Sequence, residues 1–341
     1  MTLRIAHISD LHIASNTANL KSIFWDFVLL AGPPAAAMPF LKPYLEDPEK
    51  QEILWKTLFY HSDGKKIDYR KIAAITALGI PTAFFLVRQF LRLKQILYLR
   101  KDTARARELL LADLAEQKVD YVVITGDITN VASKKEFEIA ESFVRKLHSF
   151  SGVTIVPGNH DVNIQRMTAF GKNGKLDRYL EHFGDGRKRH QFPFKQIISD
   201  ICLIGLDSTC FNPFLNSRGA ISEGQIDRLN DTLQRSEVRN AFKILVMHHH
   251  LKPVPQRNKL VDRFLALSDV DKLLSLAKEN NVSLILHGHE HQMYEYNVGA
   301  IQLHCAGATT EIDSAIDGNF TYKIVEFKDG IIHARSRTIA H

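Results

Sequence analysis

The chain has 341 residues, of which 44 are Lys or Arg and 38 are Asp or Glu, so its formal net charge at pH 7 is +6. A chain of this length can bury a sizeable core, and so mild a charge excludes neither an anionic substrate nor a membrane surface. Its three widely spaced cysteines, Cys202, Cys210 and Cys305, argue against a disulfide framework or a thiolate zinc site and favour the reducing cytoplasm. The N-terminal segment lacks an apolar signal core with a small-residue cleavage site, so we expect no export.

Apolar runs of strand length recur along the chain and alternate with helical patterns. The predicted strands cover residues 3–8, 119–125, 153–156, 201–206, 243–247, 282–286, 298–304, 321–327 and 331–335. The predicted helices cover residues 104–117, 134–149, 222–235 and 269–280, the last two behind Ser222 and Ser268. This alternation predicts an α/β fold.

Five short polar motifs contain the candidate functional residues. They are Asp10-Leu11-His12, Gly126-Asp127, Gly158-Asn159-His160-Asp161, His248-His249-His250 and Gly288-His289-Glu290-His291. Four of the motifs come immediately after a predicted strand, where open α/β sheets gather their functional loops. Each motif alone fits an ordinary polar turn. Their joint occurrence at strand ends predicts one site with enough carboxylate, amide and imidazole ligands for two metal ions.

Taken in this order, the motifs resemble those of the calcineurin-like metallophosphoesterases. They cover residues 1–14 and about 105–335, and none of them is broken. The resemblance implies two stacked mixed β-sheets flanked by helices, with a two-metal site at the strand ends. It implies that residues 1–14 and 104–341 form the catalytic domain, and it leaves residues 15–103 as a large helical insertion.

The resemblance also implies a role for each motif residue. The implied metal ligands are Asp10, His12 and His291 for one ion, Asn159, His248 and His289 for the other, and Asp127 as a bridge. His160 would donate a proton or a hydrogen bond to the leaving oxygen, and Asp161 would orient and charge its imidazole. In the family pattern the lone histidine directly follows the apolar strand, which selects His248 after Met247 and leaves His249 as the alternative.

Oxygen and imidazole ligands without thiolate suit manganese, iron, zinc or cobalt, and we expect two divalent ions, with manganese first. Two such ions about 3.5 to 4 Å apart lower the pKa of a bridging water and bind the non-bridging phosphate oxygens. The expected reaction is hydrolysis of a phosphodiester or pyrophosphate bond by in-line attack of a metal-bridging hydroxide, without a covalent enzyme intermediate. The expected substrate is a phosphorylated small molecule or a lipid-linked phosphate compound.

The segment 15–103 contains two uncharged apolar stretches, 27–41 and 72–87. Both fall short of the roughly 20 residues that a membrane-spanning helix needs. Basic residues then alternate with aliphatic ones as far as residue 107, which at helical spacing predicts an amphipathic helix. We expect residues 27–107 either to lie on an anionic membrane, peripheral to the cytoplasmic face of the inner membrane, or to pack as a helical cap on the catalytic core.

Within the family, the character of this insertion resembles the bacterial enzymes that hydrolyse UDP-2,3-diacylglucosamine in lipid A synthesis, which predicts a lipid-linked substrate. The alternative is a soluble phosphodiesterase or phosphatase that acts on nucleotides or other small phosphoesters. A catalytically inactive scaffold of the same fold is disfavoured because the motif ligands are present. A nuclease is also disfavoured, because the basic residues are interleaved with aliphatic side chains, and we expect no nucleic-acid partner.

Overall fold

The computed structural model describes residues 2–13, 103–130, 132, 134–162, 175–188, 191–210, 217–251, 265–268, 270–310, 320–328 and 330–340. All of them belong to the unit that combines Met1–Ala14 with Asp102–His341. The predicted insertion, 15–103, lies outside the described residues except for Thr103, so its helical structure and its membrane contact stay predictions.

Two mixed β-sheets form the centre of the described structure. Their strands are β1 (Leu3–Ile8), β2 (Tyr121–Ile124), β3 (Gly152–Ile155), β4 (Phe194–Ile198), β5 (Ile201–Gly205), β6 (Phe242–Val246), β7 (Val282–His287), β8 (Tyr294–Val298), β9 (Ile301–Cys305), β10 (Phe320–Lys328) and β11 (Ile331–Ile339). The first sheet has the order β11-β10-β1-β2-β3, and the second has the order β4-β5-β6-β7-β9-β8. Strands β1, β2 and β3 are parallel, as are β5, β6, β7 and β9. Their carboxyl ends therefore meet at one edge of each sheet.

Helices flank the two sheets. They are α1 (Thr103–Glu116), α2 (Lys134–His148), α3 (Asn159–Val162), α4 (Lys175–Phe183), α5 (Glu223–Gln234), α6 (Ser236–Arg239) and α7 (Val270–Glu279). Helix α2 shows how a helix packs on a sheet: its apolar residues Phe137, Ala140 and Val144 recur at helical spacing and are buried. None of the described helices has the length and hydropathy needed to span a membrane.

Strand β6 shows how the layers stack. Ile244 and Val246 join the apolar core shared with the first sheet, whereas Leu245 belongs to the core shared with α5 and α7. Alternate residues of a strand point to opposite faces, so the second sheet lies between the first sheet and a layer of helices. Phe242 of β6 meets Phe327 of β10 across the two sheets, with ring centroids 5.1 Å apart. The predicted fold class is confirmed.

The four predicted helices agree with α1, α2, α5 and α7 to within one residue at each end. The strand predicted over 298–304 is present as β9 but begins three residues later, because a turn containing Gly299, whose φ is +63°, separates β8 from β9. Strand β4 was not predicted, and β11 continues to Ile339 beyond its predicted end at residue 335.

Candidate two-metal centre

All five motifs lie directly after strands, namely β1, β2, β3, β6 and β7. The first three strands belong to the first sheet and the last two to the second. Main-chain hydrogen bonds join neighbouring strand exits. The Asp10 N–H donates to the Gly126 carbonyl at 3.1 Å, within the first sheet. In the second sheet, the Gly288 N–H donates to the His248 carbonyl at 3.0 Å. Within each sheet, the motifs therefore lie side by side.

Asp10, His12 and His291 form the first cluster of donor atoms. The two imidazole Nε2 atoms lie 3.1 Å apart. Asp10 Oδ1 lies 3.4 Å from His291 Nε2 and 3.8 Å from His12 Nε2. Asp10 Oδ1 is buried and accepts no hydrogen bond from the described residues. A buried carboxylate oxygen without a donor is costly, and a cation between these three atoms would satisfy it.

His248, Asn159, His289 and Asp127 form the second cluster. His248 Nε2 lies 2.9 Å from Asn159 Oδ1 and 3.1 Å from His289 Nδ1. The same nitrogen lies 3.3 Å from Asp127 Oδ2. Asp127 also has a carboxylate oxygen within 4.8 Å of ligand atoms of Asp10 and His12, so it lies between the two clusters. The donor set consists of oxygen and imidazole nitrogen, which fits two divalent cations of the manganese, iron, zinc or cobalt type.

His248 and His249 each offer a ring nitrogen to the second cluster, since ligand atoms of these two residues and of His289 lie within 4.8 Å of one another; the choice of His248 stays a prediction. The Nδ1–H of His248 donates to the Thr125 carbonyl oxygen at 2.8 Å, which directs Nε2 toward the second cluster. His249 Nδ1 instead lies 2.8 Å from the hydroxyl oxygen of Ser208. The sequence left these two histidines as alternatives, and the geometry places Asn159 and Asp127 around the first.

Five of the predicted ligands have left-handed backbone conformations, which side chains with a Cβ rarely adopt. Their φ angles are +51° at Asp10, +42° at His12, +50° at Asp127, +75° at His289 and +53° at His291. Such a conformation costs roughly 1–3 kcal/mol per residue and persists where the surrounding structure enforces it. Strain of this kind gathers at functional sites, which supports a functional reading of the two clusters.

Two glycines allow the strand exits to approach one another. Gly126 has a φ of +91°, and a Cβ built on it would lie 2.8 Å from His248 Nδ1. A Cβ on Gly288 would overlap the Ser9 hydroxyl oxygen and crowd the Asp10 carboxylate. A side chain at either position would push the donor atoms apart.

The buried charges shift the pKa values of the ligands. Burial alone would raise the pKa of Asp127, but the neighbouring imidazoles, above all His248, hold it well below its usual range. Burial lowers the pKa of His248, yet Asp127 outweighs this effect and raises that pKa to about 9. Burial lowers the pKa of His12 to about 4, so this imidazole is neutral at pH 7. A cation in the second cluster therefore has to displace a proton from His248.

His160 lies beside the clusters with its ring held by the main chain. Its Nδ1 lies 2.6 Å from the Asn130 carbonyl oxygen, and its main-chain N–H donates to Asp127 Oδ1 at 2.7 Å. The ring packs edge-on against His12, with centroids 4.6 Å apart. The half-buried imidazole is therefore fixed next to the carboxylate that separates the clusters.

The predicted role of Asp161 as the orienting partner of His160 is wrong. Its carboxylate is fully buried and accepts hydrogen bonds from the Gly158 N–H at 3.0 Å, and from the Thr129 N–H and hydroxyl, each at 2.8 Å. Burial, and after it the charge of Asp127, raises the pKa of Asp161 to about 7. Asp161 thus connects the loop after β3 to the loop after β2. The Asn130 carbonyl, and not Asp161, accepts the hydrogen bond from the His160 ring.

Three residues that the sequence did not single out orient the predicted ones: Thr125, Asn130 and Ser208. The first two act through main-chain carbonyl oxygens. Any residue type could make these contacts, so the sequence does not reveal them. Ser208 follows β5 and contacts His249. Its position after a buried strand was the only signal in the sequence.

The chain belongs to the calcineurin-like phosphoesterase family, whose sequence profile matches residues 3–293. It is therefore a dinuclear metal-dependent phosphoesterase, as the motifs predicted. It is similar to a probable cyclic nucleotide phosphodiesterase of Coxiella burnetii, with 24% identity over 216 residues that cover 60% of this chain and 75% of that protein.

Solved structures share the fold. A dimetal phosphatase from Danio rerio has 12% identity and a TM-score of 0.55, covering 99% of this chain and 98% of that one. A purple acid phosphatase from yellow lupin seeds has 11% identity and a TM-score of 0.55, covering 99% of this chain and 52% of that one. At these identities the likeness concerns the fold alone.

Proposed function

We propose that the protein hydrolyses a phosphodiester bond in a small soluble substrate of the cyclic nucleotide class. The observation that carries this function is the position of Asp127, whose carboxylate lies between two clusters of oxygen and imidazole donors. The substrate class is supported by the similarity to the probable cyclic nucleotide phosphodiesterase of Coxiella burnetii. It corresponds to the alternative of a soluble phosphodiesterase that the sequence left open.

Seven residues are proposed to hold two divalent cations, with manganese as the first ion to test. One cation would be held by Asp10, His12 and His291, the other by Asn159, His248 and His289, and both by Asp127. When bound, such a pair supplies positive charge to the phosphate oxygens and lowers the pKa of a water molecule.

The chain's own residues set the geometry of the reaction. The main-chain N–H of His160 donates a hydrogen bond to Asp127 Oδ1, and Asp127 Oδ2 faces His248. The His160 Nδ1–H donates to the Asn130 carbonyl, which fixes the ring and leaves Nε2 as the atom that exchanges a proton. In its protonated form, His160 can pass the Nε2 proton to the leaving oxygen of the substrate. Because the ring is half-buried, a bound ester can reach it.

A lipid-linked substrate such as UDP-2,3-diacylglucosamine is the second candidate. It depends on the apolar and basic residues of the segment 15–103, which lie outside the described residues. Cleavage of its pyrophosphate bond would use the same metal ligands and the same proton donor. The two candidates therefore differ in what the insertion contacts and not in the chemistry of the centre.

A substrate screen tests this function. The purified full-length protein is loaded with Mn²⁺ and assayed with 4-nitrophenyl phosphate, bis(4-nitrophenyl) phosphate, cyclic AMP, cyclic GMP and UDP-2,3-diacylglucosamine. We expect the highest kcat/KM for a cyclic nucleotide, and no metal-dependent hydrolysis by the Asp127→Ala variant. A protein that binds two Mn²⁺ ions and cleaves none of these esters would contradict the reaction. A preference for UDP-2,3-diacylglucosamine would replace the proposed substrate class with the lipid-linked one.

A further inference from the structure

A buried pair lies next to the two clusters without belonging to either. His250 Nδ1 is 2.8 Å from Glu290 Oε1, and both side chains are completely shielded from solvent. Neither residue is among the predicted ligands, and neither has a part in the function proposed above. A polar pair is costly to bury unless its members contact each other or other polar groups, so its position calls for a physical role.

The place of Glu290 in the chain suggests that role. It lies between His289, a donor of the second cluster, and His291, a donor of the first. Both flanking residues have left-handed backbones, with φ of +75° and +53°. The Glu290 side chain therefore leaves the chain at the centre of a strained turn, and its contact with His250 anchors that turn from the side.

His250 makes a second contact that acts in the same direction. Its ring stacks on that of His289, with centroids 5.8 Å apart and an angle of 20° between the planes. His250 is itself fixed, since its carbonyl oxygen accepts the Leu267 N–H at 2.9 Å. One side chain on the exit of β6 thus contacts both the Glu290 anchor and a ligand imidazole on the exit of β7.

We propose, on the basis of the function proposed above, that His250 and Glu290 are a positioning pair that directs His289 and His291 toward separate cations. The pair holds the turn between the two ligands in its left-handed conformation and restricts the rotation of the His289 ring. Without it, the turn relaxes, and the two imidazoles no longer meet their partners in the two clusters.

The inference predicts a loss of metal affinity in a folded protein. Glu290→Ala and His250→Ala should each weaken the binding of Mn²⁺ by about 10- to 100-fold, the usual effect of removing a residue that orients a ligand. Glu290→Gln keeps the length of the side chain and an oxygen near His250 Nδ1, so it should stay within a few-fold of the parent. The double variant should be no weaker than the single variants, because both changes remove the same contact.

Isothermal titration calorimetry of the metal-free full-length protein with Mn²⁺ alone measures the affinity and the stoichiometry of metal binding. Circular dichroism of the metal-free proteins shows which variants are folded. Glu295→Ala is the matched control: it removes another glutamate from an ion pair, with Lys323 Nζ at 2.9 Å, on strand β8. If Glu290→Ala does not fold, the Mn²⁺ affinity of Glu290→Asp tests the positioning role instead. The aspartate keeps the negative charge, but its side chain is one methylene too short to contact His250.

The outcomes separate this inference from the proposed function. A parent protein that does not bind two Mn²⁺ ions overturns the two-metal function and the positioning role with it. A parent that binds two ions, together with folded Glu290 and His250 variants of equal affinity, overturns the positioning role alone. An equal loss in Glu295→Ala would also overturn it, because the effect would then not be specific to the turn.

Discussion

The main-chain N–H of His289 donates a hydrogen bond to Asp10 Oδ2 at 3.0 Å, although 279 residues separate the two in sequence. The other oxygen of the same carboxylate lies 3.4 Å from His291 Nε2. Asp10 thus holds the strained turn of the second sheet with one oxygen and faces the first cluster with the other. The exits of β1 and β7 therefore form one structural unit.

Replacing Asp127 with alanine should reduce kcat/KM for bis(4-nitrophenyl) phosphate by about 1,000-fold or more. The shared carboxylate holds both cations, and losing that charge removes several kcal/mol of transition-state stabilisation. Hydrolysis is measured in Mn²⁺ together with the metal content of each protein. Asp120→Ala, at an exposed aspartate that accepts the Arg4 N–H, is the control and should leave both quantities unchanged. Undiminished activity of the Asp127 variant would contradict the bridging role.

Replacing His160 with alanine should leave two cations bound and slow turnover by roughly 100- to 10,000-fold, the range of a positioned proton donor. The loss should be larger for a diester with a poor leaving group than for one that releases 4-nitrophenolate, because a good leaving group needs less protonation. Steady-state kinetics with both esters and metal analysis provide the measurement. The exposed His148 provides the matched variant. A His160 variant that loses a metal would show that this residue is a ligand.

Gly288→Ala should weaken the first cluster and destabilise the fold. A Cβ at this position would overlap the Ser9 hydroxyl and crowd the Asp10 carboxylate, and overpacking of this kind typically costs about 1–3 kcal/mol. Gly224→Ala on helix α5 is the control, since its Cβ would come no closer than 3.3 Å to the movable end of Arg228. Thermal unfolding and Mn²⁺ titration of the two variants are compared. Equal behaviour would show that the loops have room to adjust.

Removing the cations should lower the thermal stability of the protein. The ligands come from both sheets and meet only in the folded chain, so a metal at about 100 times its Kd stabilises the native state by about 2.7 kcal/mol per site. For a chain of this size that corresponds to a shift in Tm of several degrees. Differential scanning fluorimetry with Mn²⁺ and with EDTA measures the shift, and Asp127→Ala should show little of it. An identical Tm in the two conditions for the parent would argue against a cation that joins the sheets.

The sequence was sufficient to predict which residues meet, because their meeting depends on strand ends. Asp10 and Asp127 each follow a buried apolar strand, and β1 and β2 are parallel neighbours with Ile8 opposite Ile124. Two parallel strands that end level place the residues after them side by side. The same relation holds for His248 and His289 after β6 and β7, so the strand ends predicted that the motifs meet, whereas the individual ligand assignments came from the family resemblance.

The contacts inside the site could not be predicted in the same way. The left-handed conformations of His289 and His291 are unfavourable for histidine and are imposed by distant contacts, such as the one with Asp10. The partner of His160 depends on the course of the loop after β2, which brings a main-chain carbonyl to the ring where a neighbouring carboxylate was expected. Strands β4 and β8 escaped prediction because they lie at the edges of their sheet and alternate polar with half-exposed residues.

The division of the ligands between the sheets has a consequence for the choice of ion. Near the strand exits, the gap between the two layers contains the apolar side chains of Val246 and Leu286, and their volume affects how far apart the opposing ligands stand. Ions of different radius require different distances between their ligands. The apolar core between the sheets therefore affects which ionic radius the centre accepts. An effort to retune this phosphoesterase toward a larger or smaller ion would begin with the volume of Val246 and Leu286 and leave the coordinating side chains untouched.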